Sequence, residues 1–117
     1  MARSQIQYLV DIDEAMTDAQ RFAEGHTLEE FQENRQLRYA IERTLEIIGE
    51  ATSNVSDRIK SRDNTLPWRE MRALRNIVAH EYHRVEPARV WQVIQEELPR
   101  TQEKIRALVQ ELKEDSP

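Results

Sequence analysis

The sequence predicts an all-α fold, an antiparallel bundle of four main helices in one domain over residues 1–117. Two observations carry this. The chain has only 2 glycines and 4 prolines in 117 residues, so it has few places to turn, which favours long helices over short strands. Apolar residues also recur at helical spacing in four successive segments, joined by short polar stretches, and this is the pattern of an antiparallel bundle.

The first segment, "QIQYLVDIDEAMTDAQRFAEG", puts Tyr8, Ile12, Ala15, Ala19 and Phe22 in one stripe, with Leu9, Met16 and Ala23 beside it. Gly25 is a plausible stop. "TLEE" then reads as a capping box, with Thr27 as N-cap and Glu30 reaching back. A longer helix is expected from there to about residue 53, with Leu37, Ile41, Leu45 and Ile48 as its stripe, flanked by Ala40, Ile47 and Ala51. "SDRIKSRDNTLP" reads as a loop with a short helical turn. Pro67 suits the first turn of a third helix, which carries Trp68, Met71, Leu74 and Val78 on one side. Pro87 restarts a helix whose stripe is Val90, Ile94, Leu98, Ile105, Leu108 and Leu112. Pro99 falls inside that pattern and should kink or split it, because proline removes the bond to residue 95.

Hydrophobic residues make up 38% of the chain and charged residues 33%. That is lean for a small monomer, which already exposes a large share of its surface, so a homodimer is expected. There is no cysteine, which removes disulfides, thiolate metal sites and cysteine nucleophiles. No apolar run approaches a membrane span or signal peptide, and a cytoplasmic protein away from membranes is expected. The net charge of −5 speaks against a general nucleic-acid coat and leaves room for a local basic site. Lys60, Lys104 and Lys113 are the only lysines. Arginine, the more abundant cation, is the better fork for phosphate oxygens.

Residues 72–83, "RALRNIVAHEYH", hold two of the three histidines. On a helical wheel with Arg75 at zero, Ala79 falls near ~40°, His83 near ~80°, Asn76 near ~100° and His80 near ~140°. Tyr82 returns to within about 20° of Arg75. Arg75 and His80 thus border one polar arc over a low floor at Ala79. A histidine can move a proton near neutral pH, and an arginine can stabilise charge building on phosphate oxygens. Together they form a minimal kit for phosphodiester cleavage, in which the 2′-hydroxyl of RNA supplies the nucleophile and no metal is required.

Other readings stand beside this one. An arginine and a histidine share solvated helix faces by chance, so the helix could be a structural dimer element. The pair His80 and His83, with Glu81 and Glu86 near, lacks a clear third metal ligand, and neither metal nor cofactor is expected. On the preceding helix Glu42, Glu46 and Glu50 form a row, with Arg43 one turn from Glu46. That row is either a solvated ion-paired face or a set of acids orienting Arg75 or His80. Gly49 is costly inside a helix and makes sense if another backbone or a ring comes close. His26, after a glycine at a helix junction, reads as a surface or capping residue.

"RNIVAHEY" resembles the arginine-to-histidine signature of the HEPN superfamily. It is closest to the HepT-like toxins, whose form is Arg-x4-His-x-Tyr, matched by Arg75, His80 and Tyr82. "IERTLEIIGEA", "LPWREMRALRNIVAHEYHRVEPARVW" and "VIQEELP" resemble the family's framework in the same order, over roughly residues 5 to 112. The resemblance implies a four- to five-helix homodimeric bundle of HEPN type, with Arg75 and His80 at a cleft between protomers. It implies metal-independent endoribonuclease cleavage by a toxin, with RNA rather than DNA as substrate. The implied partner is an MntA-type minimal nucleotidyltransferase antitoxin, which would silence the toxin by transferring AMP from ATP to Tyr82. Asn76, Glu46, Glu50, Arg43 and His83 are candidate supporting residues. His83 stands where many relatives carry an aromatic residue, often phenylalanine. The alternative is a catalytically silent helical dimer that binds a nucleotidyltransferase partner or a nucleotide.

Overall fold

The computed structural model describes residues 4–79 and 86–115, without the side chains of Val78 and Ala79. The described residues form helices α1 (Gln5–Ala23), α2 (Leu28–Glu33), α3 (Arg35–Asn54), α4 (Asp57–Lys60), α5 (Trp68–Ala79), α6 (Pro87–Gln92) and α7 (Leu98–Asp115). A π-helical turn, Val93–Glu97, joins α6 to α7. The molecule measures 49 × 26 × 25 Å, an elongated bundle whose long axis follows α1, α3 and α7. None of the described helices is long and apolar enough to cross a membrane.

The first helix starts where Ser4 caps it, its side chain accepting from the Gln7 N–H. It ends before Gly25, which takes φ 78°, a left-handed conformation that costs glycine little. Leu9, Ile12, Met16, Ala19 and Ala23 are buried, whereas Phe22 is 41% exposed. The buried stripe is therefore centred toward Leu9 and Met16, and Phe22 falls about 100° from Ala23 on its edge.

The expected single helix from Thr27 to about residue 53 is two helices. The capping box forms as expected, with the Glu30 N–H donating to Thr27 Oγ1 at 3.2 Å and the Thr27 N–H donating to Glu30 Oε1 at 3.3 Å. Asn34 then leaves helical geometry (φ −90°, ψ 102°) and caps the next helix, accepting the Leu37 N–H on Oδ1 at 3.0 Å. The break lets α2 take its own direction, so that Phe31 packs on Trp91 of α6 with ring centroids 5.4 Å apart.

Leu37, Ile41, Leu45 and Ile48 of α3 meet the α1 stripe, and Ile94, Leu98, Ile105, Leu108 and Leu112 close the core from the last helical run. Cross-links give the helix directions. The Gln5 side chain at the start of α1 donates to the Asn54 carbonyl at the end of α3. Gln102 donates to Asp13 and Thr17 and accepts from Gln20, while Arg106 binds Asp13. Mid-to-late residues of α1 thus pair with early residues of α7, while Ser4, Gln5 and Ile6 share a pocket with Leu112 and Asp115, so α1 runs antiparallel to both α3 and α7.

The π-turn answers the expectation about Pro99. The Leu98 N–H, one residue before Pro99, bonds to the Val93 carbonyl, the wider register of a π-turn. The helical run is continuous through Pro99, so the proline does not split it. Pro67 sits one residue before α5, with its carbonyl accepting the Met71 N–H at 2.9 Å. The Trp68 indole donates to the carbonyls of Lys60 and Asp63, tying the α4 connection to the start of α5.

Candidate functional site

Of the residues that the sequence marks out, Arg75 and Asn76 lie on described α5, and Arg43, Glu46 and Glu50 on α3. His80, Tyr82 and His83 lie outside the described residues. Arg75 is half-buried and Asn76 exposed, while Met71 and Leu74 are buried, as the wheel requires.

Gly49 governs how α3 meets α5. A Cβ at this position would stand 2.7 Å from the Arg75 backbone nitrogen, 2.8 Å from Arg75 Cβ and 3.0 Å from the Arg72 carbonyl oxygen. No side chain fits in that space. The expectation of a close backbone is met, and the backbone belongs to Arg75 itself. The Arg75 margin of the polar arc is therefore walled by α3 and is not open on both sides.

The acids of α3 have unequal positions. Glu42 is buried, with 8% exposure. Glu46 is half-buried and held by Arg43 in an ion pair within the helix. Glu50 is exposed. Among the described residues no carboxylate forms an ion pair with Arg75. No group of three or more His, Cys, Asp or Glu side chains that could hold a metal ion occurs among the described residues. His26 binds Glu30 through Nδ1 at 2.8 Å, a junction role as expected.

On its other flank α5 borders an open cleft of about 300 Å³ beside the last helical run. Met71, Leu74, Ile77, Val93 and Leu98 give it an apolar lining, with Asn76 on its rim. Sequence reasoning did not find this cleft, because Ile77 and Val93 belong to different helices. The sequence signal that points to it is Pro99, whose π-turn sets the path of Val93 and Leu98.

The sequence model of the family described as Ribonuclease HepT-like matches residues 12–108. The chain belongs to this family. The match takes in both α3 with Gly49 and the whole of the Arg75-to-His83 stretch. Similar proteins include "Putative RNase MJ1380" of Methanocaldococcus jannaschii, 34% identical over 84% of this chain and 90% of the relative. "Probable ribonuclease HepT" of Thermococcus cleftensis is 34% identical over 92% and 98% of the two chains. "Putative RNase TTE0752" of Caldanaerobacter subterraneus subsp. tengcongensis is 32% identical over 76% and 80%. No solved structure matches the chain.

Proposed function

We infer that this chain is an endoribonuclease that cuts RNA without a metal ion and works as the toxin of a toxin–antitoxin pair. The observation that carries the reading is Arg75: its backbone is locked against Gly49 and its guanidinium has no carboxylate partner among the described residues. An arginine fixed at its root and left uncompensated is prepared for phosphate oxygens. Family membership supports RNA as the substrate.

In this mechanism His80 takes the proton from the 2′-hydroxyl as that oxygen attacks phosphorus, or delivers one to the departing 5′-oxygen. Arg75 stabilises the charge on the equatorial oxygens. Asn76, next in sequence and exposed, is available to a phosphate or to His80. Two copies associate, which the lean composition and the apolar cleft beside α5 both support. An MntA-type nucleotidyltransferase switches the enzyme off by moving AMP from ATP to Tyr82. The added phosphate would compete for Arg75, and the nucleotide would obstruct RNA.

The test is RNA cleavage by purified wild type, Arg75→Ala and His80→Ala. Loss of a positioned acid–base costs on the order of 10²–10⁴ in rate, and loss of a charge-stabilising donor about 10²–10³. Retained rates in either variant reject the assignment of that residue. Intact RNA with wild type, while a nucleotidyltransferase still binds, favours the silent binding module. Co-expression with the partner should add mass in steps of AMP, and Tyr82→Phe should abolish the addition.

A further inference from the structure

We propose that the outer face of α3 is a track for single-stranded RNA, built from Arg35, Tyr39 and Arg43. The inference rests on the ribonuclease reading and adds to it where the strand is held. These residues fall at i, i+4 and i+8 of α3. With Arg35 at zero on a wheel, Tyr39 is near ~40° and Arg43 near ~80°. Buried Leu37, Ile41, Leu45 and Ile48 fall at about 200–280°, so the stripe points away from the core.

Two of its three side chains, Arg35 and Tyr39, are uncommitted. Tyr39 is 58% exposed, the more exposed of the two large hydrophobic side chains that reach solvent among the described residues. Neither its hydroxyl nor the exposed Arg35 guanidinium has a hydrogen-bond or ion-pair partner among the described residues. Arg43 is held by Glu46 on the same helix. An exposed aromatic face between two arginines suits a chain that carries a phosphate at every step and a base free to stack. A duplex hides its bases and gains only the arginines. In a chain of net charge −5, long-range attraction does not gather RNA, so a local site has to hold it.

The track leads to the proposed chemistry. Gly49, which touches Arg75, lies ten residues along the same helix, about 15 Å from Tyr39. Its contact direction is about 80° round from the tyrosine. A strand lying on the outside of α3 reaches the α5 side by crossing the flank that carries Glu46, a carboxylate already paired with Arg43.

The experiment measures anisotropy of a fluorescein-labelled single-stranded 2′-O-methyl RNA dodecamer and of the same strand in duplex. The proteins are wild type, Tyr39→Ala, Tyr39→Phe and Arg35→Gln, with kcat measured on saturating unmodified RNA. Tyr39→Ala should weaken single-strand binding by about 5- to 100-fold and leave duplex binding alone. Tyr39→Phe should restore it. Arg35→Gln should flatten the log–log salt slope by roughly 0.7, and kcat should hold in all three. If the variants bind like wild type while wild type cuts RNA, the track is overturned and the ribonuclease reading stands. If wild type neither binds nor cuts RNA, both fall. If Tyr39→Ala changes the mass seen by light scattering, the stripe joins two copies of the chain and the RNA track is overturned.

Discussion

Gly49 shows how one missing methyl group can fix a site. Alanine is intrinsically better than glycine in a helix by about 1 kcal/mol. The new Cβ would have to displace Arg75 and Arg72 backbone atoms at 2.7–3.0 Å, and backbone cannot swing aside as a side chain can. Overpacking of this kind costs typically 1–3 kcal/mol, and a backbone obstacle belongs at the upper end. Gly49→Ala should therefore lower unfolding stability by about 2 kcal/mol, read as a reduced urea midpoint. A midpoint at or above wild type would show that α3 and α5 separate freely. The sequence alone marked Gly49 as an anomaly and Arg75 as a candidate. That the two are in contact could not be read, since it depends on how two helices cross.

Glu30 carries a second prediction at this scale. The His26 hydrogen bond, chiefly, holds its carboxyl below the usual range, with a smaller contribution from Thr27 in the capping box. A depressed carboxyl contributes stability that is present above its unfolded value and lost as pH falls through its folded value. The α2 cap should therefore loosen on the acid side. His26→Ala should move the Glu30 titration upward, followed by carboxyl NMR shifts. An unmoved titration would mean that Thr27 alone holds the acid. His26 was legible as a junction residue because a glycine precedes it.

The break at Asn34 is the clearest difference between sequence pattern and helix. Asparagine lacks the backbone veto of proline, and its helix penalty is only several tenths of a kcal/mol, so an unbroken helix was the natural expectation. The alternative that wins is local. The Asn34 side chain accepts the Leu37 N–H, and its own N–H bonds to the Glu30 carbonyl at 2.7 Å. The tertiary gain is Phe31 against Trp91, which no local pattern encodes. Asn34→Ala removes the cap and should cost about 1 kcal/mol. Asn34→Ser, which can cap in the same way, should restore most of it. If alanine is neutral by thermal unfolding, the break is set by packing alone. The α1 and α7 stripes were legible because their faces repeat for five turns, long enough for periodicity to outweigh single misplaced residues such as Phe22.

Across the whole molecule, among the described residues, α5 packs chiefly on one neighbour. It leans on α3, while the apolar cleft lies open between it and the last helical run. A chain with 38% hydrophobic residues has little apolar surface to spare. Leaving the half-buried Ile77 and Val93 beside open space is therefore costly unless something covers them. The helix that carries Arg75 borders this cleft, so a second copy seated there would bring two such helices together. Ile77 is half-buried and lies on the cleft side, so Ile77→Glu would put a charge into that contact with little cost to the monomer core. The expected result is a fall from dimeric to monomeric mass in light scattering with helicity retained by circular dichroism. A melting temperature that no longer rises with protein concentration should accompany it, since only association makes it do so. RNA cleavage should fall with the dimer and return in part at high protein concentration, where mass action reassembles it. If the mass stays dimeric, copies meet through another face. If the monomer keeps full activity, one chain holds a complete site and the requirement for pairing is wrong.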